Sequence, residues 1–413
     1  MILDNYARLD AARGASALVV LLAHANQILF VRLPSTSTVQ TAIAGMLARH
    51  ALLIFFLLSG YLITKSICAN IERHSGRFNV LDYVASRVAR IYPPLIGSII
   101  IALLIAAIIH LANLPGGTIA YGLPGDVYRP RSEFTISLSE ILSALTMRDG
   151  LNSANAPLWS LYMEFQIYFV AMAVVVWWRF TGFLVVPLIL LAAIIVITCL
   201  APPGYPLFAC VWLVGCALAL WQVPKYVGYT IGIGGVACIF VLALDRPDLL
   251  AGESMDTTGG IIIQFMFSLT YAALLFVVPL RMSYPKALAR SGGFSYTLYV
   301  IHWPLLMLAL SLGQNWIQHS VIKTWFVAIV ALAVIIPIAI LCSKIFENKK
   351  IYKAHLLLWW SIILSLPDRL VQRFLPYAGR GEEQEFSFGW LESEHLWTEP
   401  EAPSQSARFT PEP

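Results

Sequence analysis

The sequence has few charged residues. Asp, Glu, Lys and Arg make up 12% of its 413 residues, about half the share of an average soluble domain, whereas hydrophobic residues make up 59%. The formal net charge is only +4 and no basic tract occurs, which argues against a nucleic-acid partner. This scarcity of charge predicts an integral membrane protein embedded in a lipid bilayer.

Several other signatures are also missing from the sequence. We find no internal repeat, no GxGxxG dinucleotide-binding fingerprint and no GxxxxGK[ST] phosphate loop. The six cysteines lie in or at the ends of apolar stretches, without a CxxC pair or a His/Cys cluster. We interpret them as small core residues and expect neither a disulfide nor a metal site.

Apolar stretches long enough to cross a bilayer recur throughout the chain, and we count ten. They cover 14–31, 47–67, 94–112, 157–178, 182–200, 206–223, 226–244, 260–280, 294–312 and 321–343. With the N-terminus inside, the inner segments hold most of the Lys and Arg residues, as the positive-inside rule requires. The expected fold class is an all-α integral membrane bundle of about ten transmembrane helices, in a cytoplasmic (inner) membrane with both termini cytoplasmic.

Three regions are expected along the chain. Residues 1–350 form the bundle, and its outer loop 113–156, with a short amphipathic helix at 137–147, is long enough for a lid or a binding element. The apolar stretch 354–366 is too short for an ordinary span, so 351–376 is expected to be an interfacial helix; a crossing there would move the C-terminus outside. The acidic, Pro-rich residues 377–413 predict a disordered tail.

An arginine and a histidine lie eleven residues apart in the first apolar helix. Eleven residues at 100° each return close to the starting angle and span about 16 Å, so Arg13 is expected at the water edge and His24 near mid-membrane on the same face. An ionisable side chain at that depth normally faces a cavity or a partner. The pair suits an anionic donor drawn toward a buried base, whereas a histidine held by a helix–helix hydrogen bond is the plainer alternative.

Two further arginines, Arg87 and Arg90, share a helix face immediately before the third span. Arginines at a cytoplasmic edge usually anchor the topology. Together with Arg13 they could equally clamp phosphates, because guanidinium groups match phosphate oxygens bidentately. In the second span, Ser59 and Gly60 interrupt an apolar run, and such small residues more often mark tight helix packing than a site.

Polar side chains also occur inside the fourth and ninth spans. Glu164 lies about two turns below the outer surface, where a carboxylate either pairs with a cation or works in a site. Tyr299 and His302 lie one turn apart, and Pro304 frees a backbone carbonyl near that histidine. For His302, a structural hydrogen bond and a role in lining a ligand site are equally good interpretations.

Taken together and in this order, five segments resemble the integral-membrane acyltransferase family 3, part of the wider transmembrane acyltransferase superfamily. They are LDAARG…H at 9–24, FFLLSGYLI at 55–63, RVARIYP at 87–93, PLWSLYMEFQIYF at 157–169 and SYTLYVIHWPL at 295–305. The resemblance implies a ten-helix bundle that takes an acyl group from cytoplasmic acyl-CoA. The acceptor is implied to be a hydroxyl at the outer face, often of a glycan or a lipid-linked sugar.

The resemblance implies catalytic roles for His24 and Glu164. We expect His24 to remove the proton of the acceptor hydroxyl, because the unperturbed pKa of an imidazole lies near physiological pH. Glu164 would orient the acceptor or the imidazole. Direct transfer and a route through an acyl-histidine intermediate both remain open at this point.

The donor is expected to be acyl-CoA, acetyl-CoA being the simplest case, without a metal. The residues expected to bind it are Arg13, Arg87 and Arg90 at its nucleotide and pyrophosphate end, with Ser59, Tyr299 and His302 also contributing to the site. A transporter or flippase for a lipid-linked saccharide is the alternative function, since buried polar residues also form substrate paths. The lack of repeats and of paired broken helices argues against it, and the intact His24 and Glu164 argue against a silent membrane sensor.

Overall fold

The computed structural model describes residues 2–30, 38–115, 134, 136–181, 205–245, 258–277, 286–317 and 320–374, and these ranges are helical without a strand. The helices are α1 Ile2–Ala25, α2 Thr38–Arg73, α3 Val80–Leu111, α4 Leu138–Leu145, α5 Leu158–Thr181, α6 Tyr205–Leu220, α7 Lys225–Asp245, α8 Thr258–Ala272, α9 Lys286–Ser291, α10 Ser295–Ile317, α11 Val321–Phe346 and α12 Lys349–Phe374. Two π-helical turns, Asn26–Phe30 and Ala273–Val277, extend α1 and α8.

The described residues include 8 helical ranges that are long and apolar enough to cross a membrane. The protein is therefore a multi-pass, all-helical integral membrane protein, as the composition predicts. Helix α6 has 16 residues and is shorter than these ranges, and the expected span 182–200 lies outside the described residues. The count of about ten spans and the cytoplasmic termini stay predictions.

Helix α10 is the centre of the bundle. Of its apolar range, 67% is buried, against 11% for α7, and it packs on α1, α3 and α11. A helix that is apolar on all sides can be buried by other helices or by lipid. The polar side chains of α10 therefore meet other helices, whereas α7 presents apolar side chains such as Ile233 and Phe240 outward.

Glycines allow α2 and α6 to pack closely. A Cβ added to Gly60 on α2 would collide with the backbone oxygen of Trp212, and one added to Gly215 on α6 would collide with that of Leu57. Contact between backbones at this distance tolerates only glycine. The packing interpretation of the Ser59–Gly60 pair is thus confirmed for Gly60.

Helix α3 begins earlier than expected. Its range is Val80–Leu111 and it continues through Pro93 and Pro94, so Arg87 and Arg90 lie two to three turns inside the helix. Their position on one helix is confirmed, and their place immediately before the membrane span stays a prediction. Each proline removes only one N–H from the helix, and the buried side chains around the pair hold the remaining turns in place.

The described end of the outer loop is buried in the bundle. After α4, Met147 and Leu151 take the left-handed conformation (φ 54° and 57°) and are almost fully buried. Side chains satisfy its backbone carbonyls: Tyr92 Oη donates to Leu145 O at 3.0 Å and Gln166 Nε2 donates to Met147 O at 3.0 Å. Irregular backbone inside a membrane protein requires such partners, so this part of the loop is a fixed element of the bundle. The helix expected at 137–147 is confirmed as α4.

Helix α12 follows α11 after a two-residue break. By their internal contacts, the residues group into two units, Met1–Trp360 and Ser361–Pro413. Helix α12 begins in the first unit. There Lys353 Nζ pairs with Asp82 on α3. The interfacial position expected for 354–366 stays a prediction, and the tail expected at 377–413 lies outside the described residues.

We predict that Gly60→Ala lowers the thermal unfolding temperature of the purified protein in detergent. The added methyl group must push α2 away from α6, and overpacking of this kind costs about 1–3 kcal/mol. Gly234→Ala on α7 is the matched control, because its Cβ would meet nothing within 4 Å. A Gly60→Ala protein as stable as the control would contradict the close packing described here.

Candidate active site

A pocket lies between α1, α2, α3, α5 and α10. One part of its lining is apolar and comes mostly from α2. The polar part consists of Arg13, Ser59, Arg87, Arg90, Ser160, Glu164, Tyr168, Tyr296 and Tyr299. Six of the eight site residues expected from the sequence thus meet in one cavity, although they come from five helices.

The hydroxyl group of Tyr168 organises the acidic part of this pocket. It donates a short hydrogen bond to Glu164 Oε1, one turn earlier on α5, and it accepts one from Ser59 Oγ at 3.2 Å. The backbone oxygen of Tyr168 accepts from Tyr83 Oη at 3.2 Å. These bonds connect α2, α3 and α5 and hold the Glu164 carboxylate at the pocket.

Arg87 is held at the pocket wall with part of its guanidinium group unused. Its Nη2 donates to Ser66 Oγ at 2.9 Å, and the guanidinium group lies 5.5 Å from the ring centre of Tyr83 and 5.9 Å from that of Tyr168. Among the described residues, its buried Nε has no hydrogen-bond partner. An unpaired buried guanidinium nitrogen is costly, so this side is suited to an anionic ligand.

Arg13 and Arg90 bring two more positive charges to the pocket. Arg13 lies 3.6 Å from Asp10, whose own side chain is half exposed. Arg90 interacts electrostatically with Glu164 and Tyr168, and the two arginines repel each other. The pocket lining therefore holds three guanidinium groups and one carboxylate. Positive charge in excess inside an apolar bundle favours the binding of a polyanion.

His24 lies apart from this pocket, beside His302. The two rings stack with their centres 5.3 Å apart, and the edge of Trp303 approaches His24 at 5.1 Å. His24 Nδ1 donates to Gln27 Oε1 at 2.9 Å, which leaves Nε2 as the acceptor nitrogen. Gln27 belongs to the π-helical turn that follows α1, and such turns are frequent at functional sites.

Tyr299 separates the histidines from the pocket. Its ring lines the pocket and its centre lies 5.9 Å from that of His302. Its hydroxyl group bonds to Ser160 Oγ at 2.5 Å and to Pro157 O at 2.9 Å, so the ring is fixed against α5. His302 Nδ1 donates to Leu298 O at 3.1 Å, and its buried Nε2 has no partner in the described part of the chain.

The backbone carbonyl that Pro304 leaves without its helical hydrogen bond, that of Val300, accepts a hydrogen bond from a side chain elsewhere in the bundle. In a regular helix, Val300 O would accept from the N–H of residue 304, which proline lacks. Here Asn155 Nδ2 donates to Val300 O at 2.7 Å. Asn155 comes from the buried end of the outer loop and is 1% exposed. The sequence predicted the free carbonyl but not this partner.

The structure adds four residues to the site expected from the sequence. Gln27 and Tyr168 were within reach of sequence reasoning, since they lie three and four residues after His24 and Glu164. Asn155 bonds across 145 residues of sequence, and Tyr296 has a buried hydroxyl without a partner in the described residues. Tyr296 lies three residues before Tyr299 on the same helix, whereas no spacing signals the position of Asn155.

Comparison with known families identifies the class of protein. The model of acyltransferase family 3, described as an acyltransferase domain, matches residues 6–344. Because this range covers most of the chain, the protein belongs to that family and is a membrane acyltransferase, which confirms the resemblance drawn from its motifs. The comparisons with curated proteins and with solved structures give no match.

We predict that Asn155→Ala destabilises the protein and that Pro304→Ala compensates. Loss of the amide leaves the carbonyl of Val300 buried and unpaired, at a cost of about 1–3 kcal/mol. An alanine at position 304 supplies the missing N–H within α10. Thermal unfolding in detergent of both single variants and the double variant measures the coupling. Additive effects of the two substitutions would contradict this account of the carbonyl.

Proposed function

We propose that the protein transfers a short acyl group, acetyl in the simplest case, from acyl-CoA to a hydroxyl group of a glycan or a lipid-linked sugar. The observation that carries the proposal is the positively charged pocket that adjoins a pair of stacked imidazoles across the ring of Tyr299. Family membership supports acyl transfer as such. The positive charge of the pocket supports acyl-CoA as the donor, whereas the short acyl group and the acceptor are what the resemblance to the family implies.

The arginine pocket suits the nucleotide and pyrophosphate end of the donor. Three guanidinium groups can form several charge-assisted, bidentate hydrogen bonds to phosphate oxygens. The apolar part of the lining, from Leu52 to Ile63 on α2, suits the pantetheine arm. The thioester then extends past Tyr299 toward His24, so CoA itself does not need to cross the bundle.

His24 is the proposed general base. With Nδ1 donating to Gln27, Nε2 accepts the proton of the acceptor hydroxyl as its oxygen attacks the thioester carbonyl. The carbon–sulfur bond breaks, and CoA leaves as a thiolate that takes up a proton. In a two-step route the same nitrogen would attack first, and a burst of free CoA without acceptor would reveal it. His302 stacks on His24 and so lies next to the proposed base. Glu164 accepts the hydrogen bond of Tyr168 and orients that side chain at the pocket.

The two substrates are proposed to arrive from opposite sides of the inner membrane. Arg13 and His24 lie on the one helix α1, so about 16 Å separates them along its axis. With the N-terminus cytoplasmic, the arginines would meet acyl-CoA from inside, and His24 would lie deep enough to meet an acceptor from outside. Only the acyl group would cross, which avoids the large cost of moving phosphates through an apolar core.

We predict that His24→Ala reduces acyl transfer at least about 100-fold, the usual contribution of a general base. Transfer of labelled acetyl groups from acetyl-CoA to membrane glycans in reconstituted vesicles measures the effect. His50→Ala is the matched control, because His50 is also a histidine within the bundle but bonds to Tyr271. It should keep activity within a few-fold. A folded His24→Ala protein with the activity of the control would refute the assignment of the base.

We predict that Arg87→Ala and Arg90→Ala raise the KM for acetyl-CoA and leave kcat largely unchanged. Binding that is equal in the ground state and the transition state affects KM when it is lost. Lysine at either position should restore only part of the affinity, since an ammonium group cannot bind bidentately. Arg77→Ala, in the exposed turn before α3, controls for loss of positive charge. An unchanged KM in both pocket variants would leave these arginines as topological anchors.

A further inference from the structure

A fourth cation lies near the arginines of the pocket. Lys349, the first residue of α12, lies two residues after Glu347, which bonds to Thr297 beside the pocket residue Tyr296. Its charge is repelled by those of the three arginines, and its side chain is exposed. In the sequence, Lys349 is only one of two lysines that follow the last span, and nothing marks it as part of a site.

The position of Lys349 follows from the way α12 is attached to α3. Lys349 and Lys353 are four residues apart and share one face of α12. Lys353 pairs with Asp82 near the start of α3, and Arg90 lies about two turns further along the same helix. The ion pair thus directs the face of α12 that carries Lys349 toward α3. Lys350 lies about 100° away around the helix.

The carboxylate nearest to Lys349 in sequence is already engaged. Glu347 Oε1 accepts hydrogen bonds from Thr297 N at 3.0 Å and from Thr297 Oγ1 at 2.7 Å. It therefore caps the first turn of α10, where a negative charge is stabilised by the helix dipole. These bonds fix the junction of α11 and α12 against α10, next to the pocket.

A second observation indicates a missing ligand at the same place. The buried hydroxyl of Tyr296, on the first turn of α10, lines the pocket and has no hydrogen-bond partner among the described residues. A buried hydroxyl group without a partner is costly, so a polar group of a ligand would complete it. The N-terminus of α12 adds a partial positive charge to this region.

We propose that Lys349 binds phosphate groups of the acyl-CoA donor at the opening of the arginine pocket, as a fourth cationic contact supplied by the junction of α11 and α12. The proposal rests on the proposed function and deepens it, since it assigns the nucleotide end of the donor to this opening. An exposed ammonium group acts on phosphate as a hydrated point charge. The same chemistry would suit an anionic lipid headgroup, which the experiment must distinguish.

The test compares donors with and without the nucleotide. KM and kcat are measured for the full-length protein in nanodiscs, with acetyl-CoA and with acetyl-pantetheine, which lacks the phosphates. For Lys349→Gln we expect the KM for acetyl-CoA to rise about tenfold, the loss of one charge-assisted contact, with kcat and the KM for acetyl-pantetheine unchanged. Lys349→Arg should keep most of the affinity. Lys350→Gln, the matched control, should behave as the unmodified protein.

Three outcomes would overturn the proposal. An unchanged KM for acetyl-CoA would exclude the contact, and an equal rise for both donors would assign Lys349 a structural role. An effect that appears only in nanodiscs with anionic lipid would assign it to a headgroup. If neither donor supports transfer, the proposed function fails by itself. Calorimetric titration with desulfo-CoA then decides: weaker binding to Lys349→Gln than to the unmodified protein supports the contact, and equal or absent binding refutes it.

Discussion

Three guanidinium groups lie inside an apolar bundle, and the need to stabilise them governs the arrangement around them. Inside a membrane, water does not solvate these charges as it would at a protein surface. The protein itself must therefore supply hydroxyl groups, aromatic faces and a carboxylate. Ser66 and Tyr83 serve Arg87, and Tyr168 holds Glu164 near the arginines. The arginines still outnumber the carboxylate in the pocket lining. The protein without a ligand therefore retains excess positive charge, which a bound polyanion would balance.

Helix α10 carries both halves of the candidate site. Tyr296 and Tyr299 face the arginine pocket, and His302 and Trp303 contact His24. A single rigid helix sets the spacing between the place suited to the phosphates and the place suited to the reaction. Its N-terminal part is fixed by two distant residues: Glu347 caps the first turn, and Asn155 bonds the carbonyl of Val300, one turn before the proline. The distance between the two halves thus depends little on the surrounding lipid-facing helices.

Much of this architecture could be predicted from sequence, because local patterns determine it. Apolar length predicted the helices, and the eleven-residue spacing placed Arg13 and His24 on one helix. The motifs also gave six residues that meet in the pocket. The apolar stretch 94–112 marks only the second part of α3, because the helix begins at Val80 and continues through the proline pair. Helix packing determines three other features, and no periodicity in the sequence signals them. They are the contact of His24 with His302, the bond of Asn155 to Val300 and the position of Lys349 near the pocket.

The π-helical turn Asn26–Phe30 makes α1 unequally tolerant of changes in length. Before His24 the helix is regular, so one inserted residue would rotate Arg13 by about 100° relative to the imidazole and separate the two functions. After His24 the wider turn already accommodates an extra residue. Natural variation in the length of this helix should therefore accumulate after His24, whereas the number of residues between Arg13 and His24 should stay constant.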